Sequence, residues 1–329
     1  MAESIVTSVP DPSTFASPLL SIQATAHQNN NSNLIHLELR NHPFSIDREA
    51  LMELPESILL CLFPNGVVLS QKQQQQQQQR QQPTNEQHQQ PEHEHEVYYV
   101  DFDPSCLSFI LNFYTQARLS YYGTQNRPLE PVQLQSQLPS PLFYRQAIIV
   151  LREELEFFAI PTASDPPLTN HHKHQNLLSE LKLKCGTSLL QQQNIFTALQ
   201  RNVKRENNIA EQHLIDMLCM SGFTREDSWG YRSAEPQRCS ITSLALVLLK
   251  TGITHESQEM TGPANLARMN PQVNSAQFTT AQKLLLFWRK PARKCWWDAT
   301  VINLTLSDQQ PRAVKLWARR VWTLELSLI

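Results

Sequence analysis

Three tryptophans and four cationic side chains lie within the eleven residues from Trp288 to Asp298, which have the sequence WRKPARKCWWD. Exposed cations bind acidic or phosphorylated protein segments, and aromatic rings beside cations can also stack on single-stranded nucleic acid. The composition therefore predicts a binding surface. The residues assigned to it are Trp288, Arg289, Lys290, Arg293, Lys294, Trp296 and Trp297.

A structural role is the alternative for the rings of this region. Tryptophans that alternate along strands can bury their rings in a core, with arginines stacked against them. That alternative stays open for Trp296, Trp317 and Trp322. The four cations around Pro291 cannot all be buried cheaply, so we expect them to lie in an exposed loop.

The charge of the chain limits the classes of partner. From Gln282 onward nine Lys or Arg residues face three acidic residues, although the whole chain has a formal net charge of −2. The overall balance argues against wholesale electrostatic binding to nucleic acid or acidic membranes. No stretch approaches the roughly 20 apolar residues that a membrane-spanning helix needs. We therefore expect a cytoplasmic protein with no direct membrane insertion and no nucleic-acid partner.

No catalytic, cofactor-binding or metal-binding pattern is visible in the sequence. The seven glycines are dispersed, so they form no phosphate-binding loop, and serine-hydrolase and zinc-protease motifs are absent. Asp101 and Asp103 superficially resemble paired carboxylates, but Asp103 precedes Pro104 and is explained as a helix cap. The histidines of the polar tracts have no spacing that fixes a coordination geometry. Six scattered cysteines favour buried thiols in a reducing compartment. The sequence thus predicts a protein without enzyme activity, cofactor or metal.

Low-complexity segments predict how the chain is divided. Residues 1–33 are rich in Ser, Pro and Asn, and residues 71–96 are rich in Gln, so both are predicted to be disordered. Residues 161–176 interrupt all periodicity and are predicted to be a linker. The predicted domains are residues 34–160, which contain the Gln-rich insertion, and residues 177–329.

Local patterns predict an α+β fold for both domains, with a substantial sheet in the second. In the first domain, residues 34–39 and 97–100 are typical of strands, Asp47 and Asp103 are placed to cap helices, and residues 143–160 have helical periodicity. The elements predicted in the second domain are two helices within 194–220, a strand or short core helix over 241–249, and strands over 284–288 and 314–329.

The first half resembles a BTB/POZ domain of the potassium-channel tetramerisation type. The resemblance is carried by the order of elements and by the strings LF (Leu62-Phe63), VDFDP with FILNFY (within Val100–Tyr114) and LREELEFFAI (Leu151–Ile160). The Gly-Gly turn of that family is replaced here by Asn41-His42. The resemblance implies a BTB/POZ-like N-terminal domain that serves self-association or docking of a protein partner.

The second half resembles the C-terminal domain of the fungal "whiskey"-type growth regulators. The strings LLLFWRKPARKCWWD, VKLWARRVWTLELSL and the segment Met220–Thr251 carry this resemblance. These regulators are BTB-like proteins described as activators of a general stress-response phosphatase. The resemblance implies a non-enzymatic adaptor that recruits or activates a membrane-anchored protein phosphatase in stress response and nutrient-dependent growth control. Such a partner would bring the chain to the plasma membrane.

Two other functions stay open at this stage. Other BTB proteins are substrate receptors of cullin-type ubiquitin ligases, and the first domain would fit that role. The Trp/Arg-rich cluster could instead bind nucleic acid.

Overall fold

The computed structural model of the chain describes residues 34–64, 97–124, 127–128, 140–160, 171–206, 208–254, 272–307, 309 and 311–329. The predicted disordered segments 1–33 and 71–96 lie outside the described residues, as does the part of the predicted linker up to residue 170. The chain divides into two compact units, Met1–Leu54 with Ile58–Pro104 and Pro55–Ser57 with Ser105–Ile329.

The first unit contains a three-stranded sheet in the order β2-β1-β3. Its strands are β1 (Leu34–Leu39), β2 (His42–Asp47) and β3 (Val97–Val100), and the helices α1 (Arg48–Met52) and α2 (Glu56–Leu62) follow β2. The predicted cap is confirmed, because the Asp47 carboxylate accepts the Glu49 N–H at 2.8 Å. Asn41 has a φ of 67°, a left-handed conformation that asparagine tolerates well. The strands, turn and cap predicted here from the sequence are therefore confirmed.

The second unit is built around a five-stranded sheet in the order β11-β12-β6-β8-β7. All of its pairings are antiparallel, and β12 pairs with β11 on one side and β6 on the other. The described elements from α3 onward are α3 (Pro104–Tyr122), β4 (Gly123–Thr124), β5 (Arg127–Pro128), a 3₁₀ turn (Pro141–Phe143), β6 (Ala147–Ile160), α4 (His171–Leu190), α5 (Thr197–Glu206), α6 (Ile209–Ser221), β7 (Tyr231–Ala234), β8 (Ser240–Leu248), β9 (Ile253–Thr254), β10 (Gln272–Val273), α7 (Ser275–Trp288), β11 (Ala292–Thr305) and β12 (Pro311–Leu328). The predicted α+β class with a substantial sheet is confirmed.

The two faces of this sheet are covered differently. Helices α5, α6 and α7 contribute buried apolar side chains to the core on the inner face, where Trp296 and Trp322 lie. On the outer face Ile148 and Val150 are fully buried, and α3 lies near this end, because Phe113 and Ala117 of α3 line one cavity together with Leu246 and Leu248 of β8. Toward the other end of the outer face, the side chains of β6, β11 and β12 are exposed.

The helix predicted over 143–160 is wrong, because most of this segment forms β6, the central strand of the sheet. Its helical appearance came from Glu153, which interrupts the apolar alternation of a buried strand. Glu153 faces the core and is 1% exposed, since Arg320 and Arg232 neutralise it there. The string Leu151–Ile160, a helix in the resembled family, is thus a strand here, and the BTB/POZ-like assignment of residues 34–160 is not confirmed.

The strand predicted over 284–288 is also wrong, because these residues form the last turns of α7. Asn274 caps that helix by accepting the Gln277 N–H at 3.1 Å. The two helices predicted within 194–220 are confirmed as α5 and α6, and the segment left open between strand and helix is β8.

Candidate partner-binding site

The turn between α7 and β11 carries the centre of the predicted basic-aromatic cluster. Trp288 ends the helix and is 6% exposed, and Trp296 near the start of β11 is 9% exposed. Both rings belong to the same core on the inner face of the sheet. These two tryptophans therefore hold the turn rigidly from both sides, but their rings are not available to a partner.

Three of the four predicted cations are exposed at this turn, namely Arg289, Lys290 and Arg293. Lys294 is different, because its Nζ lies 3.0 Å from Oε1 of the buried Glu211 and 5.7 Å from the centre of the Trp296 ring. The predicted exposed loop is therefore confirmed for Arg289 and Lys290, whereas Arg293 is exposed but belongs to strand β11 and Lys294 is engaged within the fold.

Two large apolar side chains lie next to these cations and were missed from the sequence. Leu286 is 77% exposed and Phe287 is 68% exposed, although both belong to an apolar run of five residues. The run was interpreted as a buried strand. The Asn274 cap, followed by apolar residues at 278, 281, 284 and 288, would have predicted a helix with these two side chains off its buried stripe.

Trp297 lies on the opposite face of β11 from Trp296 because successive strand residues point to opposite faces. It is 50% exposed, and its ring centre lies 6.1 Å from that of Phe158 on β6. The seven residues predicted as one site are therefore not brought together. They divide between the core, the exposed turn and the outer face of the sheet.

The inner face holds a buried ionic cluster that sequence analysis did not find. Glu153 accepts hydrogen bonds from Arg320 Nη1 at 2.9 Å, Arg232 Nη1 at 3.1 Å and Trp322 Nε1 at 3.0 Å. Burial alone would raise the pKa of Glu153, but the attraction of Arg320 and Arg232 and the Trp322 hydrogen bond outweigh burial and hold that pKa below its usual range. Asp298 extends the cluster, with Arg201 Nη2 2.9 Å from its carboxylate. Every partner is a fixed protein side chain, so the cluster holds strands together.

The other chemically capable groups have structural partners. Arg40 Nε donates to Asp101 at 2.7 Å, which accounts for one carboxylate of the Asp101–Asp103 pair. Burial raises the pKa of the Cys185 thiol to about 11, so it stays protonated at neutral pH.

Nowhere in the described ranges do three His, Cys, Asp or Glu side chains group closely enough to hold a metal ion. Among the helices that the structure describes, none is both long and apolar enough to span a bilayer.

The sequence is similar to known proteins of two yeasts, and this similarity identifies the family of the chain. A WHI2-like protein of Schizosaccharomyces pombe is 35% identical over 298 residues, covering 90% of this chain and 88% of the relative. A growth regulation protein of Saccharomyces cerevisiae is 26% identical and covers 90% of this chain and 91% of that protein. No protein-family model matches the chain. Because the first similarity extends over nearly the whole of both proteins, the chain belongs to the WHI2-like family of yeast growth regulation proteins.

Proposed function

We propose that this growth regulator is a non-enzymatic adaptor that recruits or activates a protein phosphatase in general stress response and nutrient-dependent growth control. The exposed turn between α7 and β11 carries the proposal. The exposed cations Arg289, Lys290 and Arg293 follow closely in sequence on the exposed apolar side chains of Leu286 and Phe287, a combination that fits an acidic protein surface with an apolar centre. The adaptor works from the cytoplasm and reaches the plasma membrane through its membrane-anchored partner.

The burial of the tryptophans favours a protein partner over nucleic acid. Proteins that bind single strands use exposed aromatic rings on which bases stack. Trp288 and Trp296, the two rings that flank the turn, are 6% and 9% exposed. Among residues 286–296 Phe287 is the one exposed ring, which is a smaller stacking surface than the several rings on which successive bases of a single strand stack.

Affinity purification of the tagged full chain, followed by mass spectrometry, separates the candidate functions. Co-purifying phosphatase subunits would support the adaptor. A cullin would support the ubiquitin-ligase receptor that the BTB resemblance suggested, and RNA-associated proteins would support nucleic-acid binding.

Light scattering of the same full chain tests self-association, which remains a prediction for residues 34–160.

Changing Arg289, Lys290 and Arg293 together to Ser should weaken capture of the phosphatase by about tenfold or more, because charge complementarity and hot-spot contacts are lost. Lys294 is left unchanged, since its removal would leave the buried Glu211 carboxylate without this cation. Thermal unfolding should be nearly unaffected because exposed charges contribute little to stability. Quantitative pull-down at two salt concentrations measures the effect.

A charge-matched control is available elsewhere in the same unit. Lys182, Lys204 and Lys250 are also exposed, and changing them together to Ser removes the same charge. Phosphatase capture that falls equally in both variants would reflect net charge alone and would contradict the assignment of the turn. RNA binding that falls steeply with salt and disappears only in the turn variant would replace the adaptor with the nucleic-acid function.

A further inference from the structure

An exposed aromatic and aliphatic patch lies on the outer face of the five-stranded sheet, away from the α7–β11 turn. Strand register places its members on one face, in rows that run from β6 across β12 to β11. The patch consists of Phe158, Ile160, Trp297, Val301 and Trp317, which are 51%, 40%, 50%, 62% and 37% exposed. Soluble proteins seldom expose a contiguous patch of this kind unless it binds something.

The patch borders an open edge of the sheet. Strand β11 pairs with β12 on one side, and no strand in the described part of the chain pairs with its other side. The far end of β11 is engaged by α4, because Lys184 Nζ donates to the Thr305 carbonyl. Upstream of that contact, the outward N–H and C=O groups of β11 form a template on which another strand can add.

The charges around the patch indicate which kind of partner can bind there. Arg293 is exposed on the same face as Trp297, and Lys315 Nζ lies 5.3 Å from the centre of the Trp317 ring. The nearby Glu156 is matched by Arg319 at 3.1 Å, so Arg293 and Lys315 leave an excess of positive charge. Two copies of the same cationic edge would repel each other, whereas an acidic strand would be attracted.

We propose that the open edge of β11 and this outer-face patch bind an extended, acidic segment of a partner protein, which adds to the sheet as an edge strand. Backbone hydrogen bonds to β11 supply affinity for any extended chain. Apolar side chains of the segment lie beside Trp297 and Val301, and its acidic side chains are held by the surrounding cations. This surface shares only Arg293 with the proposed phosphatase-binding turn and does not include Leu286, Phe287, Arg289 or Lys290, so the inference goes beyond that proposed function.

The test uses the full chain and a fluorescein-labelled peptide of repeating Thr-Val-Thr-Glu, the Val–Glu peptide, in which Val and Glu occupy every second position and therefore share one face of a strand. Fluorescence anisotropy should show saturable binding that weakens with salt, and the corresponding Thr-Val-Thr-Lys peptide, the Val–Lys peptide, should not bind. Amide exchange should slow at alternate residues of β11 upstream of Thr305. Failure of the Val–Glu peptide to bind, or equal binding of both peptides, would overturn the proposal.

Variants of the patch make the test specific. Trp297→Ser should weaken peptide binding by about tenfold or more, and Trp297→Phe should retain most of it, because the aromatic contact is what is lost. Arg293→Glu, an exposed change that leaves the core untouched, should weaken the Val–Glu peptide and favour the Val–Lys peptide. Leu286→Ser is the matched control and should leave peptide binding unchanged.

Two outcomes distinguish this proposal from its competitors. Concentration-dependent dimerisation that Trp297→Ser abolishes would identify a second copy as the occupant and overturn the acidic segment. Peptide binding that survives Trp297→Ser and Arg293→Glu would also overturn it. Because Arg293 belongs to both surfaces, the phosphatase-binding turn is tested separately by changing only Arg289 and Lys290 to Ser, and neither result above bears on that variant.

Discussion

Replacing Glu153 by Gln should lower the free energy of unfolding by about 3–5 kcal/mol, because it removes the central anion of a buried ion-paired cluster. Glu153 is 1% exposed and neutralises both Arg320 and Arg232 within the core. The amide keeps the shape of the side chain but removes the counter-ion of Arg232, and it leaves Arg320 with only the Asp298 carboxylate, 3.6 Å from its Nε. Urea unfolding followed by tryptophan fluorescence measures the shift in the midpoint.

Glu156→Gln is the matched control for this prediction. Glu156 lies on the outer face of the same strand and also pairs with an arginine, Arg319, at 3.1 Å. Its side chain is 49% exposed, so water screens the pair and its loss should cost less than about 1 kcal/mol. Equal effects of the two substitutions would show that the buried cluster contributes no more than a surface ion pair.

The Glu153 variant should also change how stability depends on pH. A carboxylate whose pKa is lower in the folded than in the unfolded state stabilises the fold above its unfolded pKa. That contribution is lost as pH falls from about 4.3 through the lower folded pKa. The unmodified protein should therefore lose stability in this range more steeply than Glu153→Gln does, as measured by thermal unfolding at a series of pH values.

Trp296→Ala should lower the free energy of unfolding by about 3–5 kcal/mol, because it leaves a large cavity in the core. The Trp296 ring packs against Trp322 at a centroid distance of 5.4 Å in an edge-to-face arrangement. Trp297→Ala provides the internal comparison. Its side chain is half exposed on the opposite face, so its loss should cost about 1 kcal/mol.

Urea unfolding of both variants, with circular dichroism as the probe, compares the two neighbouring residues directly. Circular dichroism is preferred here because each variant removes a fluorescent ring. A Trp297→Ala effect as large as that of Trp296→Ala would mean that the outer-face ring is also part of the core. It would thereby remove the patch proposed as a docking surface.

The elements that local chemistry determines were predictable from the sequence. Asp47 caps a helix because its carboxylate reaches the backbone N–H of Glu49 only two residues away. The alternation of residues 314–329 correctly predicts strand β12, but not its burial, because Thr323 and Glu325 on the second face are also buried. The cap was predictable because its determining contact is near in sequence, and the strand because its apolar residues alternate.

The errors occurred where tertiary contacts override the local pattern. Glu153 reads as a solvent-exposed residue of a helix, because nothing near it in sequence indicates that Arg320, 167 residues away, will neutralise it. Conversely, Leu286 and Phe287 read as buried because their hydrophobicity is high. Their exposure depends on which stripe of α7 meets the sheet. A buried charge and two exposed apolar side chains both contradict average behaviour, and such exceptions are common at functional or ion-paired positions.

The candidate site was predicted in composition but not in arrangement. The sequence located the exposed cations Arg289, Lys290 and Arg293 correctly. It could not decide which rings were buried, because Trp296 and Trp297 are chemically identical neighbours. Only the register of β11 against β12 assigns one to the core and the other to solvent.

The central position of β6 has a consequence for how the chain is made. Glu153 and its partner Trp322 are separated by 169 residues, so β6 leaves the ribosome long before β12 exists. At synthesis rates of about 5–20 residues per second, the delay is roughly 10–30 s. Throughout that time the hydrogen-bonding edge of β6 that pairs with β12 in the finished sheet has no partner strand, and the other edge has none until β8 is made, a state that invites aggregation. Newly made chains should therefore depend on chaperones, and the yield of native protein should be set by this delay rather than by the stability of the finished sheet.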